Sequence, residues 1–161
     1  MNWIGAFLTV ISSYACGVMI ASCERERLEA IDSLIRLLSY MRRRISTERL
    51  PLYRIFVEFE DVFLERFGFL SALRSSRHRL EPLWQNAVKS LPTDKETFDE
   101  LFRFGESLGA LSLDEQLKRI DALGAFLAEK RATISASLQQ KRKSIKCVCL
   151  LLGIAIAIIL L

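Results

Sequence analysis

The sequence predicts an all-α protein, a multi-helix cytoplasmic bundle flanked by an N-terminal and a C-terminal transmembrane helix. In this chain of 161 residues, the 23 Lys and Arg and the 19 Asp and Glu all lie between Glu24 and Lys146. The segments on either side of that interval are uncharged and apolar. Within it, apolar residues recur at helical spacing and no strand-like alternation occurs. We therefore divide the chain into residues 3–22, 23–146 and 147–161.

The first segment, WIGAFLTVISSYACGVMIAS, covers residues 3–22. About 20 apolar residues in a helix span a hydrocarbon core of roughly 30 Å. The alternative is a cleaved lipoprotein signal, because residues 20–23 resemble its cleavage site with Cys23 as the lipidated residue. Such a signal carries basic residues before its apolar run, and here only Met1 and Asn2 precede it. A transmembrane helix is the favoured interpretation.

The last segment, CVCLLLGIAIAIILL, covers residues 147–161. As a helix it reaches about 22 Å, so we expect it to span with local thinning of the bilayer and with Lys146 snorkelling. A buried core helix is the alternative, disfavoured because the segment is apolar on every side. The four cysteines, at positions 16, 23, 147 and 149, lie in or beside the two apolar segments and are expected to remain reduced.

Basic residues follow the first apolar segment and precede the second. Such residues mark the cytoplasmic side of a membrane, so the middle region is expected in the cytoplasm and both termini outside. The residues expected to set this topology are Arg25, Arg27, Arg42, Arg43, Arg44, Lys141, Arg142, Lys143 and Lys146.

The first half of the middle region predicts three helices. The first, from Glu24 to about residue 45, carries Leu28, Ile31, Ile35, Leu38 and Ile45 on one face, and whether it continues from the N-terminal span is left open. The second begins at Pro51, a favoured first helical position. Its expected buried residues are Leu52, Ile55, Phe56, Phe59, Val62 and Phe63. Gly68 and the polar run at residues 75–79 bound a short third segment.

The second half predicts three more helices. One covers residues 80–91, with Leu83, Trp84 and Val88 on one face. Two capping boxes, at residues 93–96 (TDKE) and 112–115 (SLDE), then predict two helix starts. The first of these helices is expected to bury Phe98, Leu101, Phe102 and Leu108. The second has an apolar seam of Leu113, Leu117, Ile120, Gly124, Leu127, Ile134, Leu138 and Ile145, and whether it runs into the C-terminal span is left open.

Two glycines four residues apart, Gly105 and Gly109, lie between those helix starts. A membrane packing motif is excluded by Glu100, Arg103 and Glu106 around them. A phosphate loop is disfavoured because no strand precedes them and no G-K-[ST] follows. We expect Gly109 to end the helix in a left-handed conformation and Gly105 to allow close approach of a neighbouring backbone.

The sequence offers little catalytic chemistry. His78 is the single histidine, and it lacks nearby metal ligands and a nucleophile motif, so a solvated loop residue is expected. No catalytic, cofactor-binding or metal-binding residue is assigned. The Arg42–Arg44 cluster is the kind of basic group that binds anionic lipid or nucleic acid. The net charge of +4 is too small to favour nucleic acid.

Several residues together resemble the stage III sporulation protein AB family. Residues 104–109, FGESLG, resemble its most recognisable motif, and Gln116 and Ile120 follow at similar spacing. Pro51-Leu52, Trp84 and the apolar tail with Gly153 also resemble the family, whereas residues 47–50 depart from its usual turn. The motif and turn residues to which the resemblance assigns importance are Phe104, Gly105, Glu106, Leu108, Gly109 and Gln116.

The resemblance implies a membrane-anchored platform component of the secretion-like channel between mother cell and forespore, needed for endospore formation. It also implies a helical domain similar to that of the type II secretion inner-membrane platform protein. The implied location is the mother-cell membrane around the forespore. The expected partners are membrane lipid, an ATPase and other channel subunits, with a homo-oligomer left open and nucleic acid not expected. The expectation is no enzyme and no cofactor. The alternative is a membrane-bound enzyme or signal transducer that uses the cytoplasmic bundle.

Overall fold

The computed structural model describes the backbone of residues 3–48, 50–75, 80–108 and 112–160. Side chains are described for residues 22–48, 50–75, 80–108 and 112–139. These residues contain helices and no strand. The helices are α1 (Trp3–Glu48), α2 (Leu52–Glu58), α3 (Val62–Arg66), α4 (Phe69–Arg74), α5 (Leu80–Lys89), α6 (Lys95–Glu106) and α7 (Leu113–Leu160). The all-α prediction is confirmed.

Two compact units divide the chain. One unit comprises Met1–Glu26 and Ala132–Leu161, and the other comprises Arg27–Arg131. The two long helices contribute to both units, because α1 and α7 each continue without a break through the unit boundary. The sequence left open whether the apolar end segments continue into the helices of the middle region, and α1 and α7 are unbroken helices that include both.

The first unit contains the two segments predicted to span a membrane. Within the part of the chain that the structure describes, none of the helices combines the length and hydropathy that a span requires. The side chains of residues 3–21 and of the whole of 147–161 lie outside the described residues. The predicted spans over 3–22 and 147–161 therefore remain predictions.

The core of the second unit is formed by one face of α1 and by the short helices. The α1 face is built on the 3.6-residue repeat that α-helical packing requires. Its buried apolar residues are Ala30, Ile31, Leu34, Leu37, Leu38, Met41 and Ile45. Of the five residues predicted for this face, Ile31, Leu38 and Ile45 are buried and the other two are half-buried.

Two ion pairs set the register between α1 and α7 within the second unit. Arg42 lies 2.6 Å from Asp121, and Arg131 pairs with Asp32. Asp32 and Arg42 are ten residues apart on α1, and Asp121 and Arg131 are ten residues apart on α7. The earlier residue of α1 pairs with the later residue of α7, and the later residue of α1 pairs with the earlier one. The two helices are therefore antiparallel here, and Ile120, Leu123 and Leu127 of α7 are buried.

The helix predicted from Pro51 to Phe63 is wrong in its second half. Instead α2 ends at Glu58, and Phe59 and Asp61 have extended backbones before α3 begins at Val62. Asp61 caps α3, since its Oδ1 accepts the backbone N–H groups of Phe63 and Leu64 at 3.1 Å each. The new helix start turns Val62 outward, so this residue is 89% exposed rather than buried.

Arg74 binds the C-terminal end of α2, on the other side of this break. Its guanidinium donates to the carbonyl oxygens of Phe56 at 3.1 Å and Phe59 at 2.7 Å, and it pairs with Glu65 at 2.5 Å. Carbonyls at a helix end need partners of this kind when no further turn follows. Gly68, with φ of +72°, separates α3 from α4, as its predicted role as punctuation required.

The two predicted capping boxes have different outcomes. At α6 the N-cap is Asp94 rather than Thr93, and the Thr97 hydroxyl donates to Asp94 Oδ1 at 2.5 Å. At α7 the Ser112 N–H and hydroxyl both donate to Glu115 Oε2, at 3.3 and 2.9 Å. The reach of Glu115 back to Ser112 is the half of the capping box that is confirmed.

Candidate interaction surface

Trp84 is the centre of the core beneath the FGESLG motif. The indole is fully buried, and its Nε1–H donates to the carbonyl oxygen of Leu101 at 2.8 Å. The ring centroids of Phe69 and Phe104 lie 5.2 and 5.3 Å from that of Trp84. Buried indoles need a partner for their N–H, and here α6 supplies one from its own backbone.

Gly105 makes this arrangement possible. A Cβ at position 105 would lie 2.5 Å from Trp84 Cδ1, closer than packed carbon atoms approach. A neighbouring group does approach Gly105 closely, as predicted. The prediction that this group is a backbone is wrong, because it is the indole ring of Trp84. Sequence spacing places Trp84 on a helix face but gives no indication of which neighbouring helix must make room for it.

The other motif residues divide between core and surface. Phe104 and Leu108 are buried, and Glu106 is exposed. The Leu108 N–H donates to the Gly105 carbonyl at 3.1 Å and continues the helical turn beyond α6. Gly109 lies outside the described residues, so its predicted left-handed conformation stays a prediction. The described part of FGESLG therefore builds the core around Trp84 and presents one carboxylate, Glu106, to solvent.

Gln116 follows the motif in the first turns of α7. Its side chain is half-buried, and its Nε2 has no hydrogen-bond acceptor among the described residues. The structure places it on a different helix from Phe104, Gly105 and Glu106. His78 also lies outside the described residues.

The arginines that were predicted to set topology have intramolecular partners. Arg42 pairs with Asp121, and Arg44 pairs with Glu48 and, at 3.3 Å, with Glu58. Hydrogen bonds to Glu48 and then to the Tyr40 hydroxyl raise the pKa of Arg44 above its ordinary range. These contacts add a structural role that the sequence did not suggest.

The remaining basic residues assigned to topology are less constrained. Arg43 lies with its guanidinium carbon 5.6 Å from the centre of the Tyr40 ring. Arg25 and Arg27 are exposed. The side chains of Lys141, Arg142, Lys143 and Lys146 lie outside the described residues. Their predicted role in topology stays a prediction.

A polar cluster around Asp61 was missed at the sequence level. Arg36 donates to Asp61 Oδ2 from Nε at 3.1 Å and from Nη2 at 2.7 Å, and also to the Ser33 hydroxyl at 2.9 Å. Burial acts to raise the pKa of Asp61, but hydrogen bonds from Arg36, Leu64 and Ser33 outweigh it and lower that pKa. The signal in the sequence was an aspartate just before an apolar pair, the pattern of an N-cap.

Ion pairs also join the start of α6 to α7. Lys130 pairs with Asp94 at 3.5 Å and with Glu96. Burial acts to raise the pKa of Asp94, but the Thr97 hydrogen bond and the charge of Lys130 outweigh it and lower that pKa. The hydrogen bond to Glu96, in turn, raises the pKa of Lys130.

Two shallow depressions open on the surface of the second unit. One, of about 560 Å³, is lined by Pro51, Tyr53, Arg54 and Val57. The other, of about 500 Å³, contains Val62 and the Arg36–Asp61 pair. Among the described residues the large apolar side chains that stay exposed are Val57, Val62 and Leu113. Two of these three lie in the depressions, which makes the depressions the candidate interaction surface.

The described residues contain no group of three or more His, Cys, Asp or Glu side chains placed to hold a metal ion. These features define the class of protein: an all-helical domain that includes parts of two long helices and is crosslinked by ion pairs between its helices. The chain belongs to the stage III sporulation protein AB family, whose model matches residues 2–161. Comparisons with curated proteins and with solved structures found no match.

Proposed function

We propose that this protein is a membrane-anchored platform component of the secretion-like channel between mother cell and forespore. The observation that carries the proposal is the family match, which extends over residues 2–161 and therefore includes both apolar ends and the helical domain. The family is one of stage III sporulation proteins, which supports a role in endospore formation.

Residues 3–22 and 147–161 are proposed to be the membrane anchors. Both are uncharged, and they lie at the outer ends of α1 and α7, which continue unbroken into the helical domain. Basic residues near each anchor favour a domain in the mother-cell cytoplasm and termini outside. In this arrangement the depressions at Val57 and Val62 face the compartment that contains the ATPase and cytoplasmic portions of other channel subunits.

Deletion of the gene tests the sporulation role. We expect arrest after engulfment, with the wild-type gene restoring spores when it is supplied elsewhere on the chromosome. Normal spore yield in the deletion strain would contradict the proposal. Co-purification of the ATPase of the same system with the tagged full-length protein from sporulating cells then tests the platform role, with cells lacking the tag as control.

Cysteine labelling tests the topology. In a variant whose four cysteines are replaced by serine, a single cysteine is introduced by Asn86→Cys, an exposed position on α5. In vegetative cells made to express the variant, we expect a membrane-impermeant maleimide to label it only after lysis, while Asn2→Cys is labelled in such cells when they are intact. Labelling of position 86 in intact cells would place the helical domain outside.

A further inference from the structure

The axial register of α1 and α7 brings a basic run of one helix beside an apolar run of the other. Each of the two ion pairs that join these helices connects residues whose numbers add up to 163. Both helices continue unbroken into the first unit, which is itself compact and contains both continuations. Because each helix rises by about 1.5 Å per residue, the same register brings Ser22 of α1 level with Lys141 of α7.

This register leaves the two apolar segments out of step at their charged ends. Residues 147–160 are level with residues 3–16, and both stretches are apolar. The last six residues of the first apolar segment, 17–22 (GVMIAS), are instead level with residues 141–146 (KRKSIK) of α7. Four cations therefore lie at a level where the neighbouring helix is still apolar, over an axial length of about 9 Å.

The carboxylates of the first unit are too few to neutralise this run. The unit contains five basic and two acidic residues, and thus holds +3 of the chain's net charge of +4. The two acidic residues, Glu24 and Glu26, are level with residues 139 and 137, beyond the end of the run. Even with both carboxylates paired, three positive charges of the unit remain. Cations beside hydrocarbon need an anionic partner or access to the membrane interface.

We propose that an anionic phospholipid of the leaflet nearest the helical domain binds here. Its phosphate lies at the basic run 141–146, and an acyl chain follows residues 17–22 of α1. The ligand has to be amphipathic, because cations and an apolar helix surface meet at one level. Phospholipids with a net negative charge, such as phosphatidylglycerol, have this character, and basic clusters next to membrane helices attract them.

The bound lipid also accounts for the shortness of the C-terminal apolar segment. A headgroup drawn to the level of residues 141–146 thins the bilayer locally, so the 15 residues of 147–161 face a shorter span. The site rests on the membrane anchors of the proposed function and adds a specific ligand to them.

Site-directed fluorescence quenching in nanodiscs tests the proposal. The full-length protein, with its four cysteines replaced by serine, carries a fluorophore at Met19→Cys, which is level with residue 144. The phosphatidylcholine nanodiscs contain a minor amount of either phosphatidylglycerol or phosphatidylcholine that bears a nitroxide near the headgroup. Labelled phosphatidylglycerol is expected to reach half-maximal quenching at a mole fraction about threefold lower than labelled phosphatidylcholine. At Ile4→Cys, near the other end of the segment, the two lipids are expected to quench equally.

Removal of charge identifies the residues that bind the lipid. The preference for phosphatidylglycerol is expected to vanish in a quadruple variant of the basic run, with Lys141→Gln, Arg142→Gln, Lys143→Gln and Lys146→Gln. A charge-preserving variant, with arginine at the three lysine positions of the run, is expected to keep the preference. The matched control removes four exposed basic residues of the second unit, with Lys89→Gln, Lys95→Gln, Lys118→Gln and Arg119→Gln. It is expected to leave the preference unchanged.

The outcomes separate the lipid site from the membrane anchors. Equal quenching by both lipids at position 19, or a preference that survives in the quadruple variant, would overturn the lipid site and leave the anchors intact. Absence of quenching by either lipid at positions 4 and 19 would contradict the anchors, and the lipid site with them. Excess inorganic phosphate is expected not to alter the preference. Loss of the preference in phosphate would show that the run binds free phosphate rather than a lipid.

Discussion

The indole of Trp84 occupies the space that a side chain at Gly105 would need. A Cβ on residue 105 would lie 2.5 Å from Cδ1 and 3.3 Å from Cγ of that ring. The ring cannot move away easily, because it is fully buried and its Nε1–H is bonded to Leu101 of the same helix.

Gly105→Ala is expected to destabilise the protein by about 1–3 kcal/mol, since overpacking of a closed core costs that much. Alanine would otherwise gain about 1 kcal/mol over glycine inside a helix. Gly124→Ala is the matched control, because Gly124 is also helical and no atom lies within 4 Å of an added Cβ. It is expected to be neutral or stabilising. Chemical denaturation followed by circular dichroism measures both variants.

The double variant of Gly105→Ala with Trp84→Phe separates steric conflict from any other effect of alanine. With the smaller phenylalanine ring, the cost of Gly105→Ala is expected to fall by about 1 kcal/mol or more, the coupling typical of residues in contact. If the double variant instead loses as much stability as the two single variants added together, Trp84 is not the source of the penalty.

Asp61→Ala is expected to cost about 0.5–2 kcal/mol from the lost cap alone, because Phe63 and Leu64 N–H groups lose their acceptor. Asp61→Asn keeps a cap of similar quality but removes the charge that faces Arg36. We therefore expect it to cost less than the alanine variant. Equal stability of wild type and Asp61→Ala in urea titrations would show that α3 does not depend on this cap.

Acidification is expected to weaken the fold through Asp61 and Asp94. Both carboxyls have a pKa below the ordinary value of 3.8 in the folded protein. At a pH between the folded and the unfolded pKa, the unfolded state therefore binds more protons than the folded state. Their stabilising contribution is complete above pH about 4 and is lost as the pH falls through the folded pKa. Denaturation midpoints between pH 2 and 6 measure this, and Asp61→Asn should show a shallower loss than wild type.

Charge exchange between α1 and α7 tests their antiparallel register. Arg42→Asp should cost up to about 1 kcal/mol, since both partners are more than half exposed and the new side chain faces Asp121. The exchange Arg42→Asp with Asp121→Arg should recover most of that loss. Arg103→Asp is the control, because the Arg103–Glu100 pair lies within α6 and cannot report on α7. A double variant no more stable than Arg42→Asp would contradict the register.

The helical spacing of apolar residues in the sequence predicted most of the fold. The continuity of α1 and α7 was left open, and the family rested on the resemblance of residues 104–109; the all-α class was predicted from periodicity. So was the presence of helices near residues 80–91 and 95–106, because uninterrupted apolar spacing and few breakers determine these features locally. The break at residues 59–61 was not predicted, because it depends on Arg36 and Arg74, which are distant in sequence from Asp61 and Phe59.

The candidate surface was harder to predict than the fold. Val62 fitted the apolar spacing of a helix from Pro51, and only the new helix start at Asp61 turned it to solvent. The partner of Gly105 was also beyond local reasoning, since Trp84 belongs to a different helix.

The carboxylate of Asp61 makes α3 sensitive to rotation of α1. One oxygen holds the start of α3, while the other is held by Arg36 of α1. Successive residues of an α-helix are about 100° apart around its axis. A turn of α1 by a single residue position would therefore withdraw Arg36 from Asp61 and leave a largely buried carboxylate without its counter-ion. Torsion applied to the long helix would thus be converted into loosening of the segment that carries Val62.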